Sequence, residues 1–209
     1  MTREETLSTQ QQAIAPIAAF AAAGDLPRLD DALNLGLDAG LAIGEIKEML
    51  VQLYAYAGFP RSLNALGQLM KVTDARRDRG IHDATGSDPR RAIPQGDALL
   101  AAGTANQTKL AGAPVSGPLF DFAPAIDTFL KTHLFGDIFE RDNLDWKSRE
   151  LATVGALAAL SGVGSQLQAH IRISLNVGLS TSQLHQMAEV LQQRGDASAA
   201  ARLRTALEK

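Results

Sequence analysis

Apolar residues recur three or four positions apart along most of the chain, the spacing of amphipathic helices. Ile46, Met49, Leu50, Leu53 and Ala57 form one stripe, and Leu63, Leu66 and Met70 a second. Leu151, Val154, Leu157 and Ala158 form a third, and Leu184, Met187, Ala188 and Leu191 a fourth. Ala and Leu dominate and β-branched runs are absent, which favours helix over strand. The predicted helices cover 4–22, 26–38, 44–57, 60–78, 124–134, 146–160, 165–177, 181–193 and 197–207.

The ends of these segments carry helix signals. Asp145 is placed to cap the helix of Leu151 to Leu160, and Ser180 with Gln183 has the spacing of a capping box. Gly40 and Gly178 stand where a left-handed residue closes a helix. Pro60 and Pro124 stand in first turns, where the missing N–H costs nothing. The segment 80–118 is rich in Gly, Pro, Asp and Arg and reads as a long connector. In it Arg90 and Arg91 offset Asp83, Asp88 and Asp97, and Ala98 to Ala102 has the makings of a short helical turn. Connectors of this length are functional or disordered; wrapping around a partner subunit is one expectation.

A repeat underlies the pattern. Leu37-Asp38-Ala39-Gly40-Leu41 resembles Leu175-Asn176-Val177-Gly178-Leu179, a shift of 138 residues from Gly40 to Gly178. The same shift pairs Gly24 with Gly162, Leu29 with Leu167, Ile46 with Leu184 and Met49 with Met187. The chain is therefore expected to be all-α, an antiparallel bundle of two related helical units. The first spans 1–79, the connector 80–118 and the second 119–209.

Composition narrows the function. The formal charge is −3 over 209 residues, with no basic surplus to neutralise phosphates, so a nucleic-acid partner is not expected. There is no cysteine, which removes disulfides, thiolate nucleophiles and cysteine-ligated metals. The polar start, Met1 to Gln12, does not read as a secretory signal. The most apolar run, Leu151 to Leu160, is about half the roughly 20 residues a membrane span needs. A cytoplasmic protein without a membrane partner is expected. No metal-ligand spacing, phosphate loop or Gly-x-Ser-x-Gly elbow is present, and neither metal nor cofactor is expected.

Three segments carry a family resemblance. The first joins Asn34 to Leu41, Glu45 to Leu50 and Tyr56-Ala57-Gly58-Phe59-Pro60. The second runs from Phe135-Gly136-Asp137-Ile138 through Leu144-Asp145 to Arg149-Glu150-Leu151-Ala152-Thr153. The third is Gln166 to Arg172 followed by Asn176-Val177-Gly178-Leu179. Together they resemble the carboxymuconolactone decarboxylase/AhpD-like family, over 28–70 and 119–193. The resemblance implies an all-α AhpD-like bundle and assembly into homo-oligomers, often trimers or hexamers. It also implies one of two chemistries: decarboxylation of 4-carboxymuconolactone in aromatic catabolism, or hydroperoxide reduction by a Cys-x-x-Cys pair backed by a Glu and a His.

The chain departs from the second pattern. Where the cysteines would fall it has Gly162-Val163-Gly164-Ser165, so the thiol route is closed. The acid and the imidazole remain as Glu150 and His170. In the first unit Gln12 and Ala32 stand at those positions, whereas only the first unit has the Tyr-x-Gly-x-Pro ending. These complementary losses suggest one site built from both units.

Glu150 lies on the stripe of Val154 and Leu157, and no formal charge follows from Leu151 to Ile171. A carboxylate poorly hydrated in this way suits a general acid or base; a first-turn Glu facing water is the alternative. His170, on the flank of its helix, is a proton-transfer partner for it or a hydrogen-bonded core histidine. His133, Arg149, Tyr54 and Arg61 are candidate substrate-binding residues, with Tyr56 and Arg172 beside them. An arginine can grip a carboxylate bidentately, and surface placement is its common alternative. Trp146 reads as a packing anchor. His185 and His82 are weaker candidates, on a solvated face and in the connector. Two functions follow. One is a cofactor-independent carboxy-lyase or isomerase acting by acid–base catalysis on a small carboxylated lactone or related acid. The other is a non-catalytic oligomeric binding or scaffold protein of the same fold.

Overall fold

A computed structural model describes residues 6–208. The helix start expected at residue 4, and the polar stretch Met1 to Glu5, lie outside the described residues. Among the described residues there is no strand. The helices are α1 (Thr9–Ala23), α2 (Leu26–Asp38), α3 (Ile43–Asp78), α4 (Asp97–Ala111), α5 (Pro118–Phe122), α6 (Pro124–Phe129), α7 (Trp146–Ala159), α8 (Gly164–Asn176), α9 (Thr181–Gln193) and α10 (Ala197–Leu207). A π-helical segment, Leu130–Ile138, continues α6. Among the described residues no helix is long and apolar enough to cross a membrane.

Helix ends follow local chemistry. Ser8 and Gln11 close a capping box ahead of α1, so this helix starts later than its apolar pattern suggests. Asp145 accepts the Ser148 N–H at 3.0 Å, and Ser180 and Gln183 exchange both bonds of a capping box. The two helices expected at 44–57 and 60–78 form one bent rod, because only Gly58 leaves helical geometry, with φ 81° and ψ 160°. A residue with a Cβ would resist that backbone.

The repeat is visible in the helix bounds. The ends of α2, Leu26 and Asp38, and those of α8, Gly164 and Asn176, lie 138 residues apart, as do the first residues of α3 and α9, Ile43 and Thr181. Gly24 and Gly162 have φ of 73° and 80°, and Gly40 and Gly178 have 92° and 97°. One apolar core takes Ile17, Phe20, Leu33 and Leu50 from the first half and Leu151, Leu157, Leu184 and Leu203 from the second. At its centre α1 crosses α7 closely. A Cβ on Gly155 would lie 2.7 Å from the Ala15 carbonyl oxygen.

The connector departs from expectation. Instead of a short turn, α4 is a full helix, and it packs on the π-helical segment and α8 of its own chain. Leu110 of α4 is fully buried in a second, smaller core with Leu134, Phe135, Ile138, Phe139 and Ile173. Asn106 donates to the Phe135 carbonyl at 2.9 Å, and Asn176 to that of Leu110, also at 2.9 Å. Before α4, the carbonyls of Ala84 and Thr85 accept the first N–H groups of α3, those of Ile43 and Gly44, at 2.8 Å. The connector's charges also pair elsewhere than expected. Asp83 binds Arg76, the Arg90 amide donates to Asp142, and Arg91 reaches Glu140. Within the chain the segment is a strap across its own bundle. Backbone groups freed from regular structure find partners on the same chain.

Candidate functional site

Three elements meet beneath this strap. On α3, Glu48, Gln52 and Tyr56 follow one another at intervals of four, so they share a face. Arg149, Glu150 and Thr153 occupy the facing side of α7, and His170 and Ser174 a face of α8.

The lower part is a buried ion network. Glu48 is 2% exposed and accepts from Arg149 at 2.9 Å, from Arg141 at 2.8–3.0 Å and from Asn143 at 3.0 Å. Burial pushes the Glu48 carboxyl up, but the bonds from Arg141 and Arg149, the charge of Arg149 and the Asn143 amide together hold it below its ordinary value. Arg149 also donates to the Gln52 side chain and to the Arg141 carbonyl. Gln52 donates in turn to Thr153 at 2.7 Å and to the Arg149 carbonyl at 3.1 Å.

Above it sits the acid–imidazole pair. Glu150 is fully buried, and its Oε2 lies 2.8 Å from Nδ1 of His170, whose side chain is 9% exposed. One proton is shared across that contact, on the nitrogen beside a carboxylate or on the oxygen beside a neutral imidazole. The other carboxylate oxygen, Oε1, is buried without a hydrogen-bond partner. The Tyr56 ring stands edge-on to the imidazole at 5.4 Å, and its hydroxyl is likewise buried and unpartnered. Burial pushes the Tyr56 phenol well above its ordinary value, and the charge of Glu150 adds to the shift. Ser174, one turn beyond His170, has a third buried hydroxyl without a partner.

The remaining candidates lie elsewhere. Tyr54 stacks on Phe59 at 4.4 Å and faces His133 at 5.4 Å, and His133 is half-exposed and bound to Asp137 at 2.7 Å. Tyr54 and Tyr56 are two positions apart on one helix, so they point to different faces; the tyrosine beside His170 is Tyr56. Arg61 is exposed and stands over Gly24, where any side chain would overlap its guanidinium. The two terminal nitrogens of Arg149 are taken up inside the ion network, and Arg172 is exposed. Trp146 packs on Phe139, with its indole N–H towards the Phe139 carbonyl.

Glu48, Gln52, Thr153 and Ser174 were not anticipated. For Glu48 and Gln52 the signal was a polar spacing of four, 48–52–56, running beside the apolar stripe of α3. Polar residues there read as the solvated face until a partner helix is known to cover them. The equivalent place in the first unit is open. A cleft of about 310 Å³ is lined by Gln12, Ala32, Leu35 and Arg194, which the repeat places opposite Glu150, His170, Ile173 and Tyr56. Among the described residues no strap covers it, so Leu35 is 40% exposed whereas Ile173 is 8% exposed.

Among the described residues no group of three or more His, Cys, Asp or Glu is placed to hold a metal ion. No curated protein matches the chain. Residues 124–209, from the first turn of α6 onward and including both Glu150 and His170, match the sequence model of the carboxymuconolactone decarboxylase family. Over that segment this all-α chain is similar to the carboxymuconolactone decarboxylase family, and the chain has no Cys-x-x-Cys pair.

Proposed function

We propose that this protein is a cofactor-independent lyase or isomerase that uses the Glu150–His170 pair to move a proton on a small carboxylated lactone or related acid. The observation that carries this reading is the 2.8 Å contact between a buried carboxylate and an imidazole, with the second carboxylate oxygen left free to face a ligand. General acid–base catalysis asks for such a pair, held within reach of each other and screened from water. The family match over residues 124–209 supports a decarboxylase-like reaction, and the absence of cysteine closes the peroxidase route. Arg149 is committed to Glu48, so it is not the anchor for the substrate carboxylate. A carboxylate left without a cation in apolar surroundings is disfavoured relative to neutral CO₂, which favours its loss. The reading includes assembly into a homo-oligomer; exposed Phe59, Leu63 and Met70, with Leu119, Phe122 and Phe129, supply apolar surface for it.

The test is turnover of 4-carboxymuconolactone by the purified chain, followed by ultraviolet absorbance. Glu150→Gln and His170→Ala are each expected to lower kcat by about 10²–10⁴-fold, the usual range for a positioned acid or base. Failure to consume any lactone acid, or full activity in both variants, ends this proposal. The scaffold reading has one observation in its favour: none of the described cavities is lined by Glu150 or His170. It predicts no turnover at all.

A further inference from the structure

We infer that Tyr56, contributed by the first half of the chain, is a catalytic residue of this site. Its phenol donates a hydrogen bond to the substrate oxygen on which negative charge gathers, so the substrate is an acid whose carbanion is an enolate. This inference rests on the acid–base reading above.

The argument starts from atoms that lack partners. Glu150 Oε1 and Tyr56 Oη are both buried, and neither has a hydrogen-bond partner in the protein. Buried polar atoms are almost always paired, and a dry unpaired one is unfavourable. An acceptor and a donor beside His170 are therefore both left unsatisfied by the protein's own groups. A ligand that satisfies both offers an acceptor to the phenol and takes or gives a proton at the carboxyl group. The Thr153 hydroxyl near the phenol donates to the Arg149 carbonyl at 2.9 Å and accepts from Gln52 at 2.7 Å, so it has no proton to give Tyr56, and its spare lone pair is a weaker acceptor than a charged oxygen. Burial keeps the phenol protonated, and hence a donor.

A carbonyl conjugated to the reacting carbon meets these demands. When the C–C bond to the carboxylate breaks, CO₂ leaves and the bonding pair forms the enolate C=C bond. The carbonyl π pair moves onto the oxygen facing Tyr56, whose hydrogen bond strengthens while its proton stays in place. The enolate then collapses by taking a proton at carbon from the Glu150 carboxyl group, and Glu150 regains one from solvent through His170. One proton is consumed, one C–C bond is lost and one C–H bond is made. Donors aimed at developing oxyanions typically contribute about 10²–10³ in rate.

The experiment uses Tyr56→Phe in the full chain. The substitution removes only an unpartnered hydroxyl, so the melting temperature is expected to hold or rise. With 4-carboxymuconolactone, kcat is expected to fall about 10²–10³-fold with KM nearly unchanged. In parallel, 4-nitrophenol is titrated as an oxyanion mimic and read by the absorbance of its anion. Wild type is expected to bind the phenolate form at least about tenfold more tightly than Tyr56→Phe, because a charge-assisted bond is lost. Unchanged kcat and phenolate affinity in Tyr56→Phe overturn the inference, while loss of activity in Glu150→Gln leaves the acid–base reading standing. A fall in melting temperature that accounts for the lost activity also overturns it, because the hydroxyl is then structural. If wild type turns over no lactone, the acid–base reading falls. The phenolate titration then decides Tyr56 alone: a Tyr56-dependent affinity supports its donor role, and equal or absent binding overturns it.

Discussion

At the scale of single residues, the costly feature is the ion network under the site. Arg149 is 0% exposed and Glu48 is 2% exposed, so each charge depends on the other. Glu48→Gln leaves a buried guanidinium with no carboxylate, and removing one member of such a pair costs about 3–5 kcal/mol. Urea denaturation of the variant is expected to show a loss of that size, and a loss under about 1 kcal/mol would mean that the network contributes little. The pair also sets an acid limit. The Glu48 carboxyl is held below its ordinary value in the folded chain, with burial opposed by Arg141, Arg149 and Asn143. Its stabilisation is therefore fully present above the unfolded carboxylate value, about 4.3. It is lost as pH falls through the lower folded value. Glu48→Gln should flatten the part of the stability–pH curve below about pH 4.3 that wild type shows. By fixing Arg149 the network also fixes the first turn of α7, which positions Glu150.

At the scale of elements, the strap is what separates the closed site from its open counterpart. Helix α4 approaches the π-helical segment so closely at Gly103 that a Cβ there would collide with the Lys131 carbonyl. Gly136 on the other side lies under Leu99, with 2.7 Å left for an added Cβ. Wide helical turns of this kind are short, strained and frequent at functional sites. Gly103→Ala is expected to push α4 off this seat and destabilise the fold by about 1–3 kcal/mol, the range for overpacking. Amides of Leu134 to Phe139 should exchange faster in the variant, and unaltered exchange there would show that the strap does not depend on the close approach. The same displacement should wet the Glu150–His170 pair, because Leu110, Phe135 and Phe139 belong to the apolar cluster against which Tyr56 packs.

At the scale of the whole molecule, the two units are related by their glycines and helix bounds but share one interior. Helix α1 buries Ile14 through Ala22, and its main neighbour is α7 of the other unit. Residues 119–209 expressed alone would expose the face of α7 that α1 covers and the sides of Leu184 and Leu203 that the first half shields. Such a fragment is expected to keep helix in far-ultraviolet circular dichroism yet lack near-ultraviolet signal and a cooperative thermal transition. A sharp transition would show that the second unit folds by itself. The joint interior also explains the composite site: the halves pack face to face, so an α3 side chain can reach a pair on α7 and α8.

Much of this was determined by the sequence alone. Apolar spacing, caps and glycines act within a few residues, so helix existence and the 138-residue repeat could be read without coordinates, and the interruption at Gly58 could be read as a break between two helices where the structure has one bent rod. The absence of cysteine likewise removed thiol chemistry by composition, and the pairing of Glu150 with His170 was what the family resemblance implied. Tertiary structure decided the rest. Whether Glu48, Gln52 and Tyr56 face water or a partner helix depends on which element covers them, and one chain position carries no sign of that. The fate of Arg149 turned on a carboxylate 101 residues away. The length of α4 was settled by what it packs on, since isolated helices of its size are marginal and gain stability from a neighbour. Burial and pairing between distant residues are properties of the packed chain, and a local pattern can permit them without specifying them.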